Sequence, residues 1–378
     1  MSLPWDRLPS PAFILDKPLL RRNMRLVDEL RSETGIRVLL ALKGFSMYHV
    51  FDEMRPFLDG STASSLHEAR LGQEDFGGET HIFAPAFLPH EFEEIARRVT
   101  HISFNSMAQY ERFAPDLFRI NPAVQAGLRI NPEYSPVGVS LYNPCAPGSR
   151  LGVRSAQMPA RLPEKIRFLH CHNLCESDAE GLKATLNAIE ERFGPWLEQV
   201  DELNLGGGHL VTRTGYDLAL FRSSIADFRS RHPHLSLLIE PGSALVWETG
   251  YLLARVLDVI NTSEISVALL DASISTHMPD VIEMPYRPAV LGEVASGEGA
   301  YTYRFGGLTC LAGDFVGDYS FVEPLKPGDP VVFMDMMHYT MVKTTTFNGV
   351  NLPEIGIWDG HDYTTVKKFG YEDFRSRL

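Results

Sequence analysis

The sequence predicts an α/β protein, a (β/α)8 TIM-type barrel joined to a second, all-β domain. Up to residue 245, short apolar runs alternate with stretches of helical spacing, which is typical of a barrel of parallel strands. Beyond residue 245, helical periodicity gives way to strand-like runs separated by turn residues. We therefore assign residues 17–245 to the barrel and residues 246–378 to the β domain, to which residues 1–16 contribute a strand.

The barrel strands are predicted from eight short apolar runs. These runs are 38–42, 57–60, 81–85, 101–104, 126–130, 166–170, 202–205 and 235–240. Helices are predicted between them where apolar residues recur on one helical face. One such face comprises Leu20, Met24, Val27 and Leu30 behind Asp16 as an N-cap, and another comprises Leu182, Leu186, Ile189 and Phe193.

The β domain is predicted from strand-like runs at 252–260, 265–270, 301–305 and 331–334. A turn signal, Lys326-Pro327-Gly328-Asp329, precedes the last of these runs. The early run 12–15 stands before the first helix and has no partner in the barrel. We therefore expect it to join the sheet of the β domain.

Composition narrows the classes of partner. The chain is 44% hydrophobic and 22% charged, as expected of a globular protein, and 35 basic against 48 acidic residues give a net charge of −13. That charge argues against nucleic acid and anionic membranes as partners and favours a cationic substrate. The chain shows no signal-peptide pattern, no membrane span and only four scattered cysteines. We therefore expect a cytoplasmic enzyme with free thiols.

Lys43 directly follows the first apolar barrel run and is itself followed by Gly44. A lysine at the carboxyl end of a buried parallel strand faces the end of the barrel where such folds carry out chemistry. Partial desolvation there disfavours the charged form and makes the amine a nucleophile, suited to a Schiff base with a carbonyl group. The alternative is a solvated lysine at the end of a strand.

Two further motifs follow the last two barrel runs. The glycines 206–208 allow close approach of the backbone to a ligand and direct N–H groups at an anion, in the place where barrels commonly bind phosphate. Glu240 ends the eighth run before Pro241-Gly242, where its carboxylate can pair with a protonated ring nitrogen such as a pyridinium. A plain tight turn and a solvated glutamate are the alternatives.

The sequence His170-Cys171-His172, with Cys175 and Glu176 close by, resembles a metal cluster at first sight. Adjacent strand residues point to opposite faces, however, and no second Cys/His pair completes a four-ligand site. We therefore expect no metal, and favour an imidazole of His172 that lies flat against a planar cofactor.

Two candidate residues lie in the β domain. Cys310 stands in a loop that contains several glycines, where its thiol can donate a proton to a reacting centre, although small buried cysteines are common. Tyr339 precedes Thr340 and the hydroxyl-rich segment 344–346, and its hydroxyl can reach a phosphate.

Taken together, these motifs resemble the fold type III (alanine-racemase-fold) pyridoxal-phosphate decarboxylases, the group of ornithine/arginine and diaminopimelate decarboxylases. The resemblance covers nearly the whole chain. It is carried by the combination of Ala41-Leu42-Lys43, His170-Cys171-His172, Gly206–Gly208, Glu240-Pro241-Gly242, Cys310 with Asp314, Tyr339-Thr340 and Phe347-Asn348-Gly349. Within the group, the sequence is most similar to the carboxynorspermidine branch.

The resemblance implies pyridoxal 5′-phosphate as the cofactor and assigns roles around its ring. Lys43 carries the cofactor as a Schiff base, and His172 stacks on the pyridine ring. Glu240 pairs with the ring nitrogen and keeps it protonated, so that the ring accepts the charge left by CO2. Arg129 matches a barrel arginine near the pyridine face.

The resemblance also implies how the phosphate is bound and how the subunits cooperate. Backbone N–H groups of Gly207, Gly208 and Gly242, together with the hydroxyl of Tyr339, are expected to bind the phosphate. Cys310 is expected to come from the other subunit of a homodimer, with active sites at the subunit interface. There it delivers the proton that replaces CO2.

Departures from the wider group indicate the substrate. Leu311 stands where ornithine-type and diaminopimelate enzymes carry an acid, Ser243 replaces a common arginine, and Cys175 a common serine. An aspartate near the second strand is replaced within the segment 61–65. These differences argue against ornithine, arginine and diaminopimelate. They fit decarboxylation of carboxynorspermidine or carboxyspermidine to norspermidine or spermidine in polyamine biosynthesis.

Other acids must then bind the distal amines, and Asp314, Glu176 and Asp271 are the candidates, Asp314 first. Another amino-acid decarboxylase of the group, diaminopimelate-like or ornithine-like, stays open as an alternative. A racemase is disfavoured by Glu240 and Cys310, since racemases of this fold place arginine at the ring nitrogen. A cofactor carrier without turnover is disfavoured by the long segment after the barrel, and a metal-binding protein can be tested by elemental analysis.

Overall fold

The computed structural model describes residues 3–378 and divides the chain into two units. One unit comprises residues 23–245 and the other comprises residues 1–22 with 246–378, of which residues 1 and 2 lie outside the described part. The first strand, β1 (Ala12–Asp16), belongs to the second unit. Helix α1 (Lys17–Thr34) contains the point of division.

Unit 23–245 is a closed barrel of eight parallel strands, each hydrogen-bonded to its neighbours in chain order. The strands are β2 (Arg37–Ala41), β3 (Gly60–Ala63), β4 (Glu79–Phe83), β5 (His101–Phe104), β6 (Gln125–Ile130), β7 (Ile166–Cys171), β8 (Glu202–Asn204) and β9 (Ser236–Ile239). The pairing of Arg37 with Leu238 joins the first strand to the last and closes the barrel. The predicted fold class is confirmed, since a parallel barrel and a separate sheet unit are both present.

Helices flank the strands of the barrel. They are α1, α2 (Phe51–Met54), α3 (Leu66–Leu71), α4 (Phe92–Arg98), α5 (Met107–Ile120), α6 (Ala179–Leu197) and α7 (Leu218–Arg231). The apolar faces predicted for α1 and α6 are buried throughout, as expected for amphipathic helices that cover a sheet. Asp16 caps α1, because its carboxylate accepts the N–H of Leu19 at 3.1 Å.

One barrel strand lies several residues beyond its predicted position. Residues 57–60 were expected to be a strand, but Arg55–Phe57 form a 3-10 turn that contains Pro56, and β3 begins only at Gly60. The strand itself, Gly60-Ser61-Thr62-Ala63, is buried although its residues are small and partly polar. The apolar residues on which this prediction rested therefore lie just before the strand and not within it.

The second unit is built on an eight-stranded sheet in the order β13-β12-β11-β10-β1-β15-β16, with β14 paired to β10. Its strands after β1 are β10 (Gly250–Asn261), β11 (Ser266–Leu270), β12 (Tyr301–Gly306), β13 (Phe315–Phe321), β14 (Pro330–Met334), β15 (Glu354–Trp358) and β16 (Tyr363–Lys367). The unit also carries the short helices α8 (Ile274–His277), α9 (Pro279–Glu283) and α10 (Tyr371–Arg375).

Strand β1 lies inside this sheet, antiparallel to β10 and parallel to β15. Ala12 and Ile14 are fully buried and pack in one apolar cluster with Leu253, Val332 and Trp358. The continuous apolar run of β1 is thus explained by burial within a central strand. Among the residues described, no helix is long and apolar enough to cross a membrane.

Candidate active site

The candidate residues of the barrel unit lie at the carboxyl ends of neighbouring strands. Lys43 follows β2 by two residues, His172 follows β7 by one, and Glu240 follows β9 by one. Arg129 is the penultimate residue of β6. Parallel strands bring these positions together at one end of the barrel, the end at which barrel enzymes place their chemistry.

A cavity of about 110 Å³ opens between these residues. It is lined by Lys43, Arg129, His170, His172 and Glu240, together with Ala41, Thr62, Ala63, Ser64, Phe83 and Pro85. The lining combines an amine, a guanidinium, two imidazoles and a carboxylate with an aromatic ring. This set of groups can bind a planar, charged ligand.

The amine of Lys43 lies in this open cavity, so solvent reaches it, yet protein atoms surround it on most sides. Burial lowers the pKa of the amine, and the positive charge of Arg129 lowers it further, while Glu240 and Glu68 oppose the shift. A lowered pKa favours the neutral amine, which is the nucleophilic form. The nearest recorded partner of Nζ is Nε2 of His172 at 3.4 Å.

His172 is fixed by the glycine loop after β8. Its Nδ1 accepts the backbone N–H of Gly207 at 2.7 Å, so the proton of a neutral ring lies on Nε2, which faces Lys43. Burial lowers the pKa of His172 well below its usual value, and the charges of Lys43 and Arg129 act in the same direction. His172 is therefore a neutral imidazole with a defined tautomer.

The glycine loop is shaped by close contacts that exclude side chains. A Cβ atom on Gly207 would lie 2.5 Å from the carbonyl oxygen of Glu240 and 3.2 Å from Cε1 of His172. Gly206 and Gly208 have φ angles of +64° and +90°, in the left-handed region that favours glycine. The N–H of Gly207, expected at a phosphate, is instead donated to His172. The N–H groups of Gly208 and Gly242 have no acceptor in the part of the chain that the structure describes.

Glu240 is buried at the base of the cavity and accepts hydrogen bonds from two neighbours. Nδ2 of Asn204 donates to its Oε1 at 2.7 Å, and the hydroxyl of Thr62 also donates to the carboxylate. Burial raises the pKa of Glu240, while these two hydrogen bonds lower it. The second oxygen, Oε2, lies 3.6 Å from Nε2 of His170, whose own Nδ1 is 3.2 Å from the hydroxyl of Ser103.

Arg129 is almost fully buried beside the cavity. Its Nη2 donates to the carbonyl oxygen of His172 at 2.8 Å, and its guanidinium carbon lies 4.4 Å from the centroid of the Phe83 ring. Burial lowers its pKa to about 10, so the side chain remains a cation. Arg129 thus connects β6 to the segment after β7 and places a positive charge near Lys43.

Sequence reasoning missed three polar residues of this site. Asn204 joins Glu240 to the glycine loop, because its Oδ1 also accepts the N–H of Gly206 at 2.8 Å. Thr62 lies in strand β3 and donates a hydrogen bond to Glu240. Glu68 accepts the N–H of Ser64 at 2.6 Å, and its negative charge opposes the lowering of the Lys43 pKa. Of these three residues, only Asn204 is recognisable in the sequence, as a lone amide between Leu203 and Leu205 in a buried strand.

The remaining candidates lie in the sheet unit, apart from Glu176, which is exposed in the barrel unit after β7 and has a φ angle of +45°. Cys310 is exposed, and Tyr339 is half-buried with a φ angle of +50°. Asp271 accepts the N–H of Arg255 at 2.7 Å.

Asp314 differs from an open ligand-binding acid. It is 4% exposed, and its two carboxylate oxygens accept hydrogen bonds from Ser273, Ile274, Ser275 and Thr309. Burial raises the pKa of Asp314, but these hydrogen bonds outweigh it and lower the pKa overall. The carboxylate expected first in line for a substrate amine is therefore occupied by its own loop and by the start of α8.

Comparisons with known proteins agree along the full length of the chain. A family model described as pyridoxal-dependent decarboxylase, C-terminal sheet domain, matches residues 13–337. The chain is 51% identical to the carboxyaminopropylagmatine decarboxylase of Synechocystis sp., over 98% of this chain and 96% of that protein. It is 39% identical to the carboxynorspermidine/carboxyspermidine decarboxylase of Campylobacter jejuni, over 99% of both.

Among the solved structures, one with a related sequence resembles the chain over nearly its whole length. It is the crystal structure of carboxynorspermidine decarboxylase complexed with norspermidine from Campylobacter jejuni, which superposes with a TM-score of 0.90 at 37% sequence identity. The match covers 98% of this chain and 100% of that one. Both units of the present chain therefore have counterparts in that protein.

Proposed function

Because the chain belongs to the pyridoxal-dependent decarboxylase family, we propose that it decarboxylates a polyamine that carries a carboxylated aminopropyl arm. Its substrates are then carboxynorspermidine and carboxyspermidine, and its products norspermidine and spermidine. The observation that carries this proposal is the full-length similarity to a Campylobacter jejuni enzyme of that name, together with the solved norspermidine complex. The net charge of −13 suits a substrate with several ammonium groups.

Pyridoxal phosphate is the cofactor of this family, and the cavity of the barrel fits it. Lys43 offers an amine with a lowered pKa for the aldehyde, and Glu240 offers a buried carboxylate for the ring nitrogen. The imidazole of His172 offers a planar surface. The free N–H groups of Gly208 and Gly242 suit the phosphate. When bound, the cofactor supplies the electron sink that receives the electron pair left behind by CO2.

The residues of the barrel have distinct tasks in this proposal. Lys43 would hold the cofactor through its amine, in the place that the α-amine of the substrate would take over. His172 presents its Nε2–H group to the Lys43 amine, a contact that suits the neutral form of that amine. Glu240 would hold a proton at the ring nitrogen, and the hydrogen bonds from Asn204 and Thr62 favour its anionic form against the effect of burial.

Cys310 delivers the proton that replaces CO2, and we propose that it does so from the partner subunit of a homodimer. The loop around it exposes large apolar side chains. Leu308, Leu311 and Phe315 are 45–47% exposed and Phe347 is 44% exposed. Apolar residues grouped in this way are typical of a surface that another chain covers. Tyr339 would add a hydroxyl to the phosphate site.

Glu176 is the strongest of the three acids proposed to bind distal amines. It is exposed, follows the strand that ends at the cavity, and forms no ion pair within residues 3–378. Asp271 and Asp314 are engaged in hydrogen bonds of their own unit.

All four cysteines, at positions 145, 171, 175 and 310, are free thiols, which supports a reducing, cytoplasmic location.

A second candidate substrate is carboxyaminopropylagmatine. It is favoured by the Synechocystis relative, which is more identical to this chain, at 51%, than the Campylobacter relative is at 39%. The two classes of substrate share the carboxylated arm at which the chemistry takes place. They differ at the distal end, where agmatine carries a planar guanidinium in place of an ammonium, so a bidentate carboxylate contact would favour it.

The experiment that tests the proposal measures CO2 release and product mass with each candidate. Purified enzyme with pyridoxal phosphate is given carboxynorspermidine, carboxyspermidine or carboxyaminopropylagmatine, with ornithine, lysine and diaminopimelate as controls. We expect turnover of the carboxylated polyamines and little of the controls, because short diamines leave the distal acids unpaired. Efficient turnover of ornithine or diaminopimelate would refute the substrate assignment. Preference for carboxyaminopropylagmatine would select the second candidate.

A further inference from the structure

Cys310 is held by one neighbouring side chain. The backbone N–H of Cys310 donates to Oδ1 of Asn348 at 3.2 Å, and its thiol donates to the same oxygen at 3.3 Å. Asn348 belongs to the segment Phe347-Asn348-Gly349, which is distant in sequence from the Cys310 loop. A single amide oxygen therefore accepts both donors of the cysteine.

The backbone of Asn348 is specialised for this position. Its φ and ψ angles are 56° and 9°, in the left-handed region, and Gly349 follows with a φ angle of +70°. Asparagine tolerates that conformation better than other residues with a side chain, although glycine tolerates it without cost. A glycine at position 348 would adopt this conformation without strain, but it has no side-chain oxygen to accept the two hydrogen bonds of Cys310. The presence of asparagine therefore indicates a role for its amide oxygen.

The other side of the Cys310 loop is also anchored. The residue before it, Thr309, donates its N–H and its hydroxyl to Asp314 at 2.9 and 2.6 Å. Asp314 in turn accepts the N–H groups of Ile274 and Ser275 at the start of α8. The loop is therefore fixed to the sheet unit on both sides of the sulfur, while Cys310 itself stays exposed.

We propose that Asn348 is a positioning residue for proton delivery, which holds the S–H group of Cys310 in one orientation. This inference rests on the proposed function, in which Cys310 protonates the substrate carbon. An amide oxygen accepts a hydrogen bond but does not take the proton, so the proton stays on sulfur until the carbanion arrives. The S–H bond then breaks, a C–H bond forms at the α-carbon, and the thiolate regains a proton from water.

Two variants at one position separate this role from a merely structural one. Asn348→Gly keeps the left-handed backbone and removes the acceptor. Asn348→Asp keeps an oxygen in the same place and adds a negative charge that disfavours the thiolate. Asn348 is exposed, so neither change disturbs a packed core.

The first readout is the alkylation of Cys310 by iodoacetamide in protein freed of cofactor, followed by peptide mass spectrometry. Alkylation consumes the thiolate. We expect Asn348→Gly to be alkylated about fivefold faster than the wild type, since the hydrogen bond from the thiol to Asn348 is lost. Asn348→Asp should be alkylated more slowly than the wild type. Equal rates in the three proteins, or changes of the same sign in both variants, would overturn the proposal.

The second readout is the product formed by the loaded enzyme. With a poorly positioned thiol, the proton would be added to the cofactor instead of the substrate carbon. The amino group would then stay with the cofactor, and water would release the substrate as an aldehyde in place of the amine. We expect Asn348→Gly to raise the aldehyde fraction about fivefold, in the direction of Cys310→Ala. If Cys310→Ala itself gave only amine at the normal rate, Cys310 would not be the proton donor of the proposed function. If Cys310→Ala gave aldehyde and Asn348→Gly did not, only the role of Asn348 would be refuted.

Discussion

The Nζ atom of Lys43 lies 3.4 Å from Nε2 of His172, and the N–H of Gly207 fixes the tautomer of that imidazole from the other side. Burial lowers the pKa of both side chains. Both shifts favour the neutral forms of the imidazole and of the amine. The glycine loop thus has a task beyond ligand binding, because the Gly207 N–H determines which nitrogen of His172 carries the proton that faces Lys43.

Gly207→Ala tests this relationship. The added Cβ would approach the carbonyl oxygen of Glu240 and the His172 ring, so the loop must move and its hydrogen bond to His172 must weaken. We expect cofactor affinity to fall by at least about tenfold, measured by fluorescence titration, for an energetic cost of about 1.4 kcal/mol. Gly194→Ala is the matched control, since a Cβ on that glycine in α6 meets no atom within 4 Å. Unchanged affinity in Gly207→Ala would contradict the tight packing of the loop.

Asn204→Ala tests how the hydrogen bond from Asn204 affects the protonation of Glu240. Without the hydrogen bond from Asn204, burial raises the pKa of Glu240 further, so its carboxylate is protonated at a higher pH. The acidic limb of the pH profile of kcat should therefore move to higher pH. Asn121→Ala is the matched control, because it removes an amide that bonds to Ala96 and Val99 away from the site. A profile that moves equally in both variants would rule out a specific effect of Asn204.

The stability of the fold is expected to depend on pH through Glu202. This residue begins β8, at the end of the strand opposite the glycine loop. Burial raises its pKa to about 7, although the neighbouring Arg37 opposes the shift. The folded chain thus keeps a proton that the unfolded chain releases above its ordinary pKa of 4.5, so the free energy of unfolding falls as pH rises through this window. Glu202→Gln removes that fall.

As the pH is raised from about 5 to about 8, we expect the free energy of unfolding of Glu202→Gln to increase by about 2 kcal/mol relative to that of the wild type. Denaturant unfolding measures this difference. Glu190→Gln serves as a control with the opposite sign. The hydrogen bond from Arg231 lowers the pKa of Glu190, so its contribution is lost only in more acidic solution. A wild-type and a Glu202→Gln curve that stay parallel across this range would show that Glu202 does not titrate there.

Subunit mixing tests whether Cys310 serves the partner's site. Lys43→Ala and Cys310→Ala proteins should each be nearly inactive. In a mixed dimer, one site combines a native Lys43 with a native Cys310, so mixing should restore up to about a quarter of the wild-type activity under random exchange. Exchange must be verified by native mass spectrometry. Absence of rescue in mixed dimers would mean that Cys310 acts within its own subunit or not at all.

Sequence patterns located most of the barrel because its strands are nearly continuous apolar runs. Lys43 and Glu240 were recognisable as polar residues directly after such runs. The strand at Gly60–Ala63 was displaced in the prediction, because small polar residues fill the barrel there while Phe57 and Leu58 lie before it.

The support of the site was less predictable, since it depends on contacts between distant loops. The donation of the Gly207 N–H to His172 joins residues 35 positions apart, and the contact of Asn348 with Cys310 joins residues 38 apart. The saturation of Asp314 by its own loop is likewise a matter of geometry. Residue type indicated an acid near Cys310, but only the fold shows that its oxygens are already occupied.

Reduction of the loaded enzyme with borohydride, followed by peptide mapping, identifies the amine that holds the cofactor. Borohydride fixes the cofactor irreversibly to the amine that holds it. We expect the label on Lys43 and no label in Lys43→Ala. Lys343 of the sheet unit, which pairs with Glu283, provides the control, and Lys343→Ala should be labelled like the wild type. A label on any other lysine would refute the assignment of Lys43 as the residue that holds the cofactor.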